Sequence, residues 1–260
     1  AQPPAKPAAA QSPVETAAPR RDFRSFPRGA EAGTCLHAML ERLDFAADDE
    51  AIGLIAAEEL KRAGIAADWL PAAVDGIRAT LTTALDDSGL RLCELPADAR
   101  RAELEFTFPL GRIRADGLGA VLRAHGVSMP GLAFKDIEGY LRGFIDLVYE
   151  ADGQVFIVDY KSNWLGPEAG DYHVERLPAA MDAAGYRLQY LLYCVAIVRF
   201  LRRRRPGWRY ADGFGGVRYL FLRGLDPALG STHGVFAERP AEALIDALDA
   251  YLASGDVMSA

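Results

Sequence analysis

Apolar residues recur at helical spacing through the first third of the chain. One helix is expected to begin at Thr34, because threonine is a residue type that caps helix N-termini. Its buried face is formed by four apolar residues, Leu36, Met39, Leu40 and Leu43. The same spacing predicts two more helices, over residues 52–63 and 69–85. The chain therefore begins its folded part with a helical region.

The spacing changes to a strict alternation of apolar and polar residues from Arg101 onward. Leu104, Phe106 and Phe108 alternate with polar neighbours, which is the pattern of a half-buried strand. Residues 111–139 are rich in glycine and follow neither period, so we expect them to be irregular.

A hairpin signal opens the second half of the chain. Two β-rich runs, residues 140–150 and 154–161, are joined by Asp152-Gly153, a dipeptide typical of tight hairpins. The later elements are one helix or two, a buried strand and a closing helix, over residues 179–204, 217–222 and 240–252. This order predicts an α/β domain in which helices flank a mixed central sheet.

The N-terminal 20 residues have a composition unlike the rest, with seven alanines, five prolines and no aromatic residue. Such a segment buries too little apolar surface to offset the entropy lost on ordering. We therefore expect a flexible Pro/Ala-rich linker over residues 1–25 and one domain over residues 26–260. A linker at this position also leads us to expect that the chain was cut from a longer protein.

The formal net charge of the chain is −7, yet the arginines are concentrated in one segment. Residues 185–225 contain nine arginines and one aspartate. The candidates for phosphate contact on DNA are Arg199, Arg202, Arg203, Arg204 and Arg205. The alternative is a solvated helix end, where arginine also suits the helix dipole.

Cellular location is suggested by two features of composition. The longest apolar run, residues 191–198, is too short to cross a membrane. Cys35, Cys93 and Cys194 are far apart and form no Cys-x-x-Cys pair, so neither a disulfide framework nor a structural zinc site is predicted. We expect a cytoplasmic protein with no membrane contact.

The predicted hairpin carries the candidate chemistry. A two-residue turn at Asp152-Gly153 places Asp146 opposite Asp159, and Lys161 projects from the same face as Asp159. The opposite face would offer Ile145, Leu147, Phe156 and Val158 to the core. Two facing carboxylates repel each other unless one is protonated or a cation lies between them.

The ligand chemistry of this face suits a hard divalent cation. Carboxylate oxygens on a rigid strand pair favour Mg²⁺ or Mn²⁺ over zinc, and an adjacent ammonium suits phosphoryl chemistry. The pattern is that of a metal-dependent phosphodiesterase. The alternative is a solvent-facing hairpin in which Lys161 merely offsets two aspartates.

Four segments resemble the nuclease domain of RecB-family proteins. These proteins are subunits of the bacterial RecBCD enzyme, and that enzyme is also called exodeoxyribonuclease V. The most specific is GFIDLVYEADGQVFIVDYKSNWLG at residues 143–166. The others are GTCLHAMLERLDF at 33–45, YRLQYLLY at 186–193 and FGGVRYLFLRGLD at 214–226. The resemblance implies the restriction-endonuclease-like PD-(D/E)xK fold, although the proline of that signature is absent here.

The resemblance also implies roles for individual residues. Metal ligands would be His37, Asp146, Asp159 and the main-chain carbonyl of Tyr160, with Mg²⁺ as the metal and Mn²⁺ as a substitute. Catalytic or supporting residues would be Asp159, Lys161, Glu103, Gln189 and Tyr193. Glu103 and Glu105 compete for the supporting role, since both lie on the polar face of one strand; we prefer Glu103.

The function implied is DNA phosphodiester hydrolysis by the C-terminal nuclease domain of a RecB-type helicase–nuclease, in double-strand-break repair and recombination. The partners implied are DNA with single-stranded or unwound ends, RecC- and RecD-type sister subunits and the RecA recombinase. No Walker A motif occurs, so no nucleotide site is predicted in this chain.

Two alternatives remain at this stage. The first is a docking module for RecA or sister subunits that cleaves little by itself, and its mark would be a large exposed apolar patch away from Asp159. The second is a structure-specific nuclease of the same fold without a motor, which the N-terminal linker disfavours.

Overall fold

The computed structural model of the protein describes residues 21–256, and the greater part of the expected linker, residues 1–20, lies outside them. The folded part begins earlier than Phe26. Phe23–Ser25 form a short 3-10 helix in which Phe23 is buried and Asp22 caps the first turn. The expected linker boundary at residue 25 is therefore too late, because one phenylalanine anchors the preceding turn.

Three helices form the N-terminal layer, α1 (Ala30–Arg42), α2 (Asp49–Arg62) and α3 (Leu70–Thr82). Thr34 is not the N-cap of α1, which begins four residues earlier, after Gly29. Gly29 has φ of 107°, a conformation that glycine adopts without steric cost, and so it turns the chain into the helix.

A five-stranded sheet crosses the molecule in the order β1-β2-β3-β4-β5. The strands are β1 (Arg100–Ile113), β2 (Ile137–Ala151), β3 (Gln154–Lys161), β4 (Phe214–Phe221) and β5 (Val235–Glu238). β3 and β4 are parallel, and the other neighbours are antiparallel. The prediction of a mixed sheet flanked by helices is confirmed, whereas β5, four residues long, was not predicted.

The remaining helices are α4 (Ala115–Ala124), α5 (Leu177–Ala183), α6 (Tyr186–Arg204), α7 (Tyr210–Gly213) and α8 (Glu242–Ser254). The expectation that residues 111–139 are irregular is wrong where α4 forms. Two glycines hide the helical period there, although Leu118, Val121 and Leu122 are buried on one face. Gly185, with φ of 70°, separates α5 from α6. None of the helices in residues 21–256 is long and apolar enough to span a membrane.

Each face of the sheet is covered by its own hydrophobic core. One core joins the sheet to α4, α5, α6 and α8, and includes Ile145, Ile157 and Cys194. The other joins the sheet to α1–α3, and includes Leu147, Val158 and Tyr160. The alternating side chains of β3 thus enter two different cores, and the hairpin face that carries Asp159 does not point to solvent.

A local twist divides β1 and β2 into two parts. Ile145 and Leu147 are two residues apart, yet they belong to opposite cores, so the expectation that they share a face is wrong. Glu103 lies beside this step with φ of 47°, a left-handed conformation that strands rarely contain. Beyond the twist, residues 104–110 pair with residues 139–145 as a two-stranded ribbon.

Candidate active site

The hairpin of β2 and β3 brings the predicted aspartates to one end of its ladder. The predicted register is confirmed from Ala151–Gln154 to Leu147–Val158, where regular pairing stops. At the next residue of β2, Asp146, the side chain and not the main chain forms the hydrogen bond to β3. Asp146 Oδ2 accepts a hydrogen bond of 2.7 Å from the main-chain N–H of Tyr160.

Asp159 and Lys161 form a buried ion pair at the end of β3. Asp159 is 2% exposed and Lys161 8% exposed, and the lysine Nζ contacts Asp159 Oδ2. Burial and the negative charge of Asp146 raise the pKa of Asp159, although Lys161 opposes this. Asp146, Asp159 and Lys161 therefore interact electrostatically within one site.

Helix α6 holds the ammonium group of Lys161 through its first turn. Lys161 Nζ donates to Gln189 Oε1 at 3.0 Å, and Gln189 Nε2 donates to Tyr193 Oη at 2.8 Å. The amide oxygen of Gln189 also accepts from Tyr219 Oη at 3.1 Å. The spacing of four residues that placed Gln189 and Tyr193 on one helix face thus brings both to the site.

Two tyrosines that the sequence did not single out complete the surroundings of Lys161. Its Nζ lies 3.9 Å from the ring centre of Tyr186 and 5.0 Å from that of Tyr219. Electron-rich ring faces stabilise an ammonium group. Tyr186 also donates to Asn163 Oδ1 at 2.9 Å, which fixes its ring.

His37 approaches from α1, on the other side of the sheet. Its Nδ1 lies 3.4 Å from Asp146 Oδ2. Burial alone would lower the pKa of His37, but the contact with Asp146 and its negative charge outweigh burial and raise it. The site is therefore enclosed by α1 on one side and α6 on the other.

The structure separates the two glutamates of β1. The pKa of Glu103 is raised by burial first, and then by the negative charges of Asp146 and Glu41, so Glu103 senses the acidic site. Glu105 instead lies on the exposed surface, where its Oε1 accepts from Arg142 Nε at 2.7 Å. This geometry favours Glu103 as the residue next to the site.

The donor groups fit a hard divalent cation. Burial first, and then the negative charge of Asp146, raise the pKa of Asp159, and a cation between the two carboxylates would stabilise their charged forms. Carboxylate and carbonyl oxygens are the ligand types that suit Mg²⁺ or Mn²⁺, whereas the imidazole nitrogen of His37 is a more usual ligand for zinc or iron. Within residues 21–256, no three His, Cys, Asp or Glu side chains are already arranged as a metal-binding group, and Asp159 is paired with Lys161.

The arginine-rich end of α6 lies on a different surface. Arg199 pairs with Asp249, and Arg202 pairs with Glu242 and Asp246, so both tie α6 to α8. Arg205, another member of the cluster, forms an ion pair with Glu150 of β2. Three of the five predicted DNA contacts are thus engaged within the chain, and DNA binding by this cluster stays a prediction.

The chain has clear relatives among known proteins. Residues 15–254 match the family described as the PD-(D/E)XK nuclease superfamily. The chain is similar to the RecBCD enzyme subunit RecB of Escherichia coli (strain K12), with 38% identity over 228 residues, which cover 86% of this chain and 19% of that protein. RecB of Haemophilus influenzae is 34% identical over 86% of this chain and 18% of its own. RecB of Mycobacterium tuberculosis (strain H37Rv) is 34% identical over 90% of this chain and 25% of its own. The chain spans about a fifth to a quarter of the length of these relatives.

Proposed function

Since the chain belongs to the PD-(D/E)XK nuclease superfamily, we propose that it is the nuclease domain of a RecB-type helicase–nuclease and hydrolyses DNA phosphodiester bonds with Mg²⁺. The observation that supports this best is the buried Asp159–Lys161 pair beside Asp146 and His37. Residues 26–260 are the proposed nuclease domain, to which the packed turn at Phe23–Ser25 is added.

Four groups of this chain would hold the metal: His37, Asp146, Asp159 and the main-chain carbonyl of Tyr160. A Mg²⁺ or Mn²⁺ ion held by these groups would supply Lewis-acid chemistry, by polarising a phosphoryl oxygen and lowering the pKa of a bound water. His37 must be neutral to act as a ligand, so its contact with Asp146 has to give way when the metal binds.

Lys161 supplies a fixed positive charge to the scissile phosphate. Its ammonium group is already oriented by Gln189 and by the ring of Tyr186, so little reorganisation is needed as negative charge develops. Glu103 would add negative charge on the metal side of the site, where burial first and then the charge of Asp146 raise its pKa.

The wider biological role follows from similarity to RecB and belongs to the same proposal. We propose action on single-stranded or unwound DNA ends in double-strand-break repair and recombination, within an assembly of RecC- and RecD-type subunits that loads RecA. Among the described residues, the exposed large apolar side chains away from the site occur at Leu54, Val174, Phe200 and Leu229, on separate segments, and at Ile137 and Tyr140 on β2. This distribution does not favour the alternative of a docking module.

The proposal is tested by incubating the purified 260-residue chain with labelled single-stranded DNA, with Mg²⁺ or with EDTA. We expect cleavage only with Mg²⁺, and we expect Asp146→Ala and Asp159→Ala each to abolish it. Asp212→Ala, which removes a surface carboxylate paired with Arg209, is the control and should cleave normally. Circular dichroism checks that each variant is folded. Near-normal Mg²⁺-dependent cleavage by either site variant would contradict the proposal.

A further inference from the structure

The ribbon of β1 and β2 has one face that the fold leaves uncovered. Its inner face packs Phe106, Phe108 and Ile145 against the core beneath α6 and α8. Its outer face presents Tyr140 and Phe144, which are 77% and 44% exposed. Both rings lie on one strand and are exposed, and apolar side chains exposed together on one face can mark a binding surface.

The outer face is a continuous surface. Cross-strand pairs join Tyr140 to Pro109, Arg142 to Thr107 and Phe144 to Glu105. Directly opposed residues in an antiparallel pair project from the same face, so these six side chains form one strip. Tyr140 and Phe144 are four residues apart on β2, which separates them by about 13 Å.

This strip leads to the candidate active site. Phe144 precedes Asp146 by two residues on β2, so about 7 Å of strand separates the last ring from the proposed metal ligand. The outer face also turns toward the side of the sheet on which α1 lies, because the inner face packs on the opposite core. A polymer bound along the strip would therefore have one end at the site.

The charge of the strip suits bases rather than phosphates. Arg142 is engaged by Glu105 at 2.7 Å, and its guanidinium lies 5.5 Å from the ring centre of Phe144. The Arg142–Glu105 pair has no net charge, and it places planar groups beside the aromatic rings. Exposed aromatic side chains and arginine planes are the groups on which unpaired bases stack.

We propose that the outer face of the ribbon binds the unpaired bases of a DNA strand, which stack on Tyr140 and Phe144 while the backbone passes to Asp146. The proposal rests on the proposed nuclease function, since it names how that site holds its substrate. Because the two rings lie about 13 Å apart, each would stack with a different base of the same strand. A duplex cannot use the strip, because its bases already stack on each other.

The test is the binding of a fluorescent single-stranded oligonucleotide in EDTA, where no cleavage occurs. Tyr140→Leu and Phe144→Leu keep an apolar side chain but remove the ring. We expect each to weaken binding at least about fivefold, and the double variant more, which corresponds to the lower end of measured stacking contributions. Affinity for a blunt duplex should not change. Tyr140 is almost fully exposed, so its variant tests the proposal even if Phe144→Leu fails to fold.

A second measurement shows whether bases are the bound group. An oligonucleotide with abasic positions should bind more weakly than the intact strand to the natural chain, and this difference should disappear in the double variant. Phe200→Leu is the comparison variant, since Phe200 is 50% exposed on α6 beside the arginine cluster. If Phe200→Leu weakens binding and the ribbon variants do not, the DNA lies on the arginine surface and the proposal is wrong.

The outcome for the ribbon is separate from that for the nuclease function. Cleavage by both ribbon variants with an unchanged Michaelis constant would overturn the stacking proposal and leave the nuclease function intact. Ring-dependent binding by a chain that never cleaves would support the stacking proposal and contradict the function. If the stacking proposal and the nuclease function are both correct, the Michaelis constant for single-stranded DNA rises in the variants. Their turnover rate at saturation then stays within about twofold of that of the natural chain.

Discussion

The ammonium group of Lys161 is held by three kinds of contact. Asp159 supplies a negative charge, Gln189 an amide oxygen and Tyr186 a ring face. A lysine side chain has high rotamer entropy, so these contacts remove freedom that would otherwise be lost when substrate binds. The position of the Lys161 ammonium group is therefore fixed by the fold before DNA binds.

Replacement of Lys161 should affect the chemical step. We expect Lys161→Ala to lower the turnover rate by about 10²–10³, because one preorganised charge at the transition state is lost. Lys161→Arg should not restore activity, since a planar guanidinium does not fit a pocket built for a compact ammonium. Single-turnover cleavage and DNA binding, measured separately, check this. A variant with normal turnover and weak binding would make Lys161 a phosphate contact only.

His37 should make the stability of the metal-free protein depend on pH. Its pKa is raised in the folded state, so its stabilising contact with Asp146 is fully present below the unfolded pKa of about 6.5 and is lost as pH rises through the folded pKa. We therefore expect His37→Gln to lower the melting temperature more at pH 6 than at pH 8.5. Thermal unfolding in EDTA measures this, with the exposed His125→Gln as control. Equal losses at both pH values would contradict the prediction.

The residues that could be predicted from sequence are those on the hairpin. Asp152-Gly153 fixes a two-residue turn, and the turn fixes which residues of β2 and β3 are opposed. Tyr219 could not be found in this way. It reaches Gln189 only because β4 lies parallel to β3, a pairing that no short-range signal encodes.

Helix α6 has different tasks at its two ends. Its first turn holds Lys161 through Gln189, whereas its last turns hold α8 through Arg199 and Arg202. Arginine at a helix C-terminus also interacts favourably with the helix dipole. The arginine-rich run that the sequence displays is thus partly a packing device between two helices.

Because the arginines of α6 differ in their contacts, we expect different effects when two pairs of them are replaced. Replacing Arg203 and Arg204 with glutamine should lower the slope of log affinity for single-stranded DNA against log salt by about 0.7 for each lost phosphate contact. Replacing Arg199 and Arg202 should instead lower the melting temperature, because α8 loses its ion pairs with α6. Salt titrations and thermal unfolding of both double variants distinguish these effects. An unchanged slope for Arg203 and Arg204 would restrict the cluster to packing.

The sequence pattern missed helix α4 for a physical reason. α4 contains Gly117 and Gly119, which weaken the helical signal, but its packing against α8 stabilises the helix. A methyl group at Gly117 would lie 2.3 Å from Tyr251 Oη, so the glycine is needed for this close approach. Tertiary contacts therefore decide the structure where intrinsic preference is weak.

At the scale of the whole molecule, Arg223 joins segments that are far apart in sequence. It is 3% exposed and follows β4 in a 3-10 turn. Its guanidinium donates to the main-chain carbonyls of Arg24, Phe26, Pro27 and Ser162. The chain entering the domain and the loop after Lys161 thus share one anchor.

Loss of this anchor should be costly. We expect Arg223→Met to lower the free energy of unfolding by about 3 kcal/mol or more, because several buried carbonyl groups lose their donor at about 1–3 kcal/mol each. Urea denaturation measures the change. Arg209→Met, which removes an exposed arginine paired with Asp212, should cost under about 1 kcal/mol and serves as the control. A loss for Arg223→Met as small as that of the control would show that water replaces its bonds.

The shared anchor also has a mechanical consequence. A force that pulls residues before Asp22 away from the domain acts first on Phe23–Pro27, and the bonds from these residues converge on Arg223. The same guanidinium holds Ser162, the residue that follows Lys161. A displacement of Phe23–Pro27 would therefore be transmitted through the Arg223 guanidinium to the backbone beside Lys161.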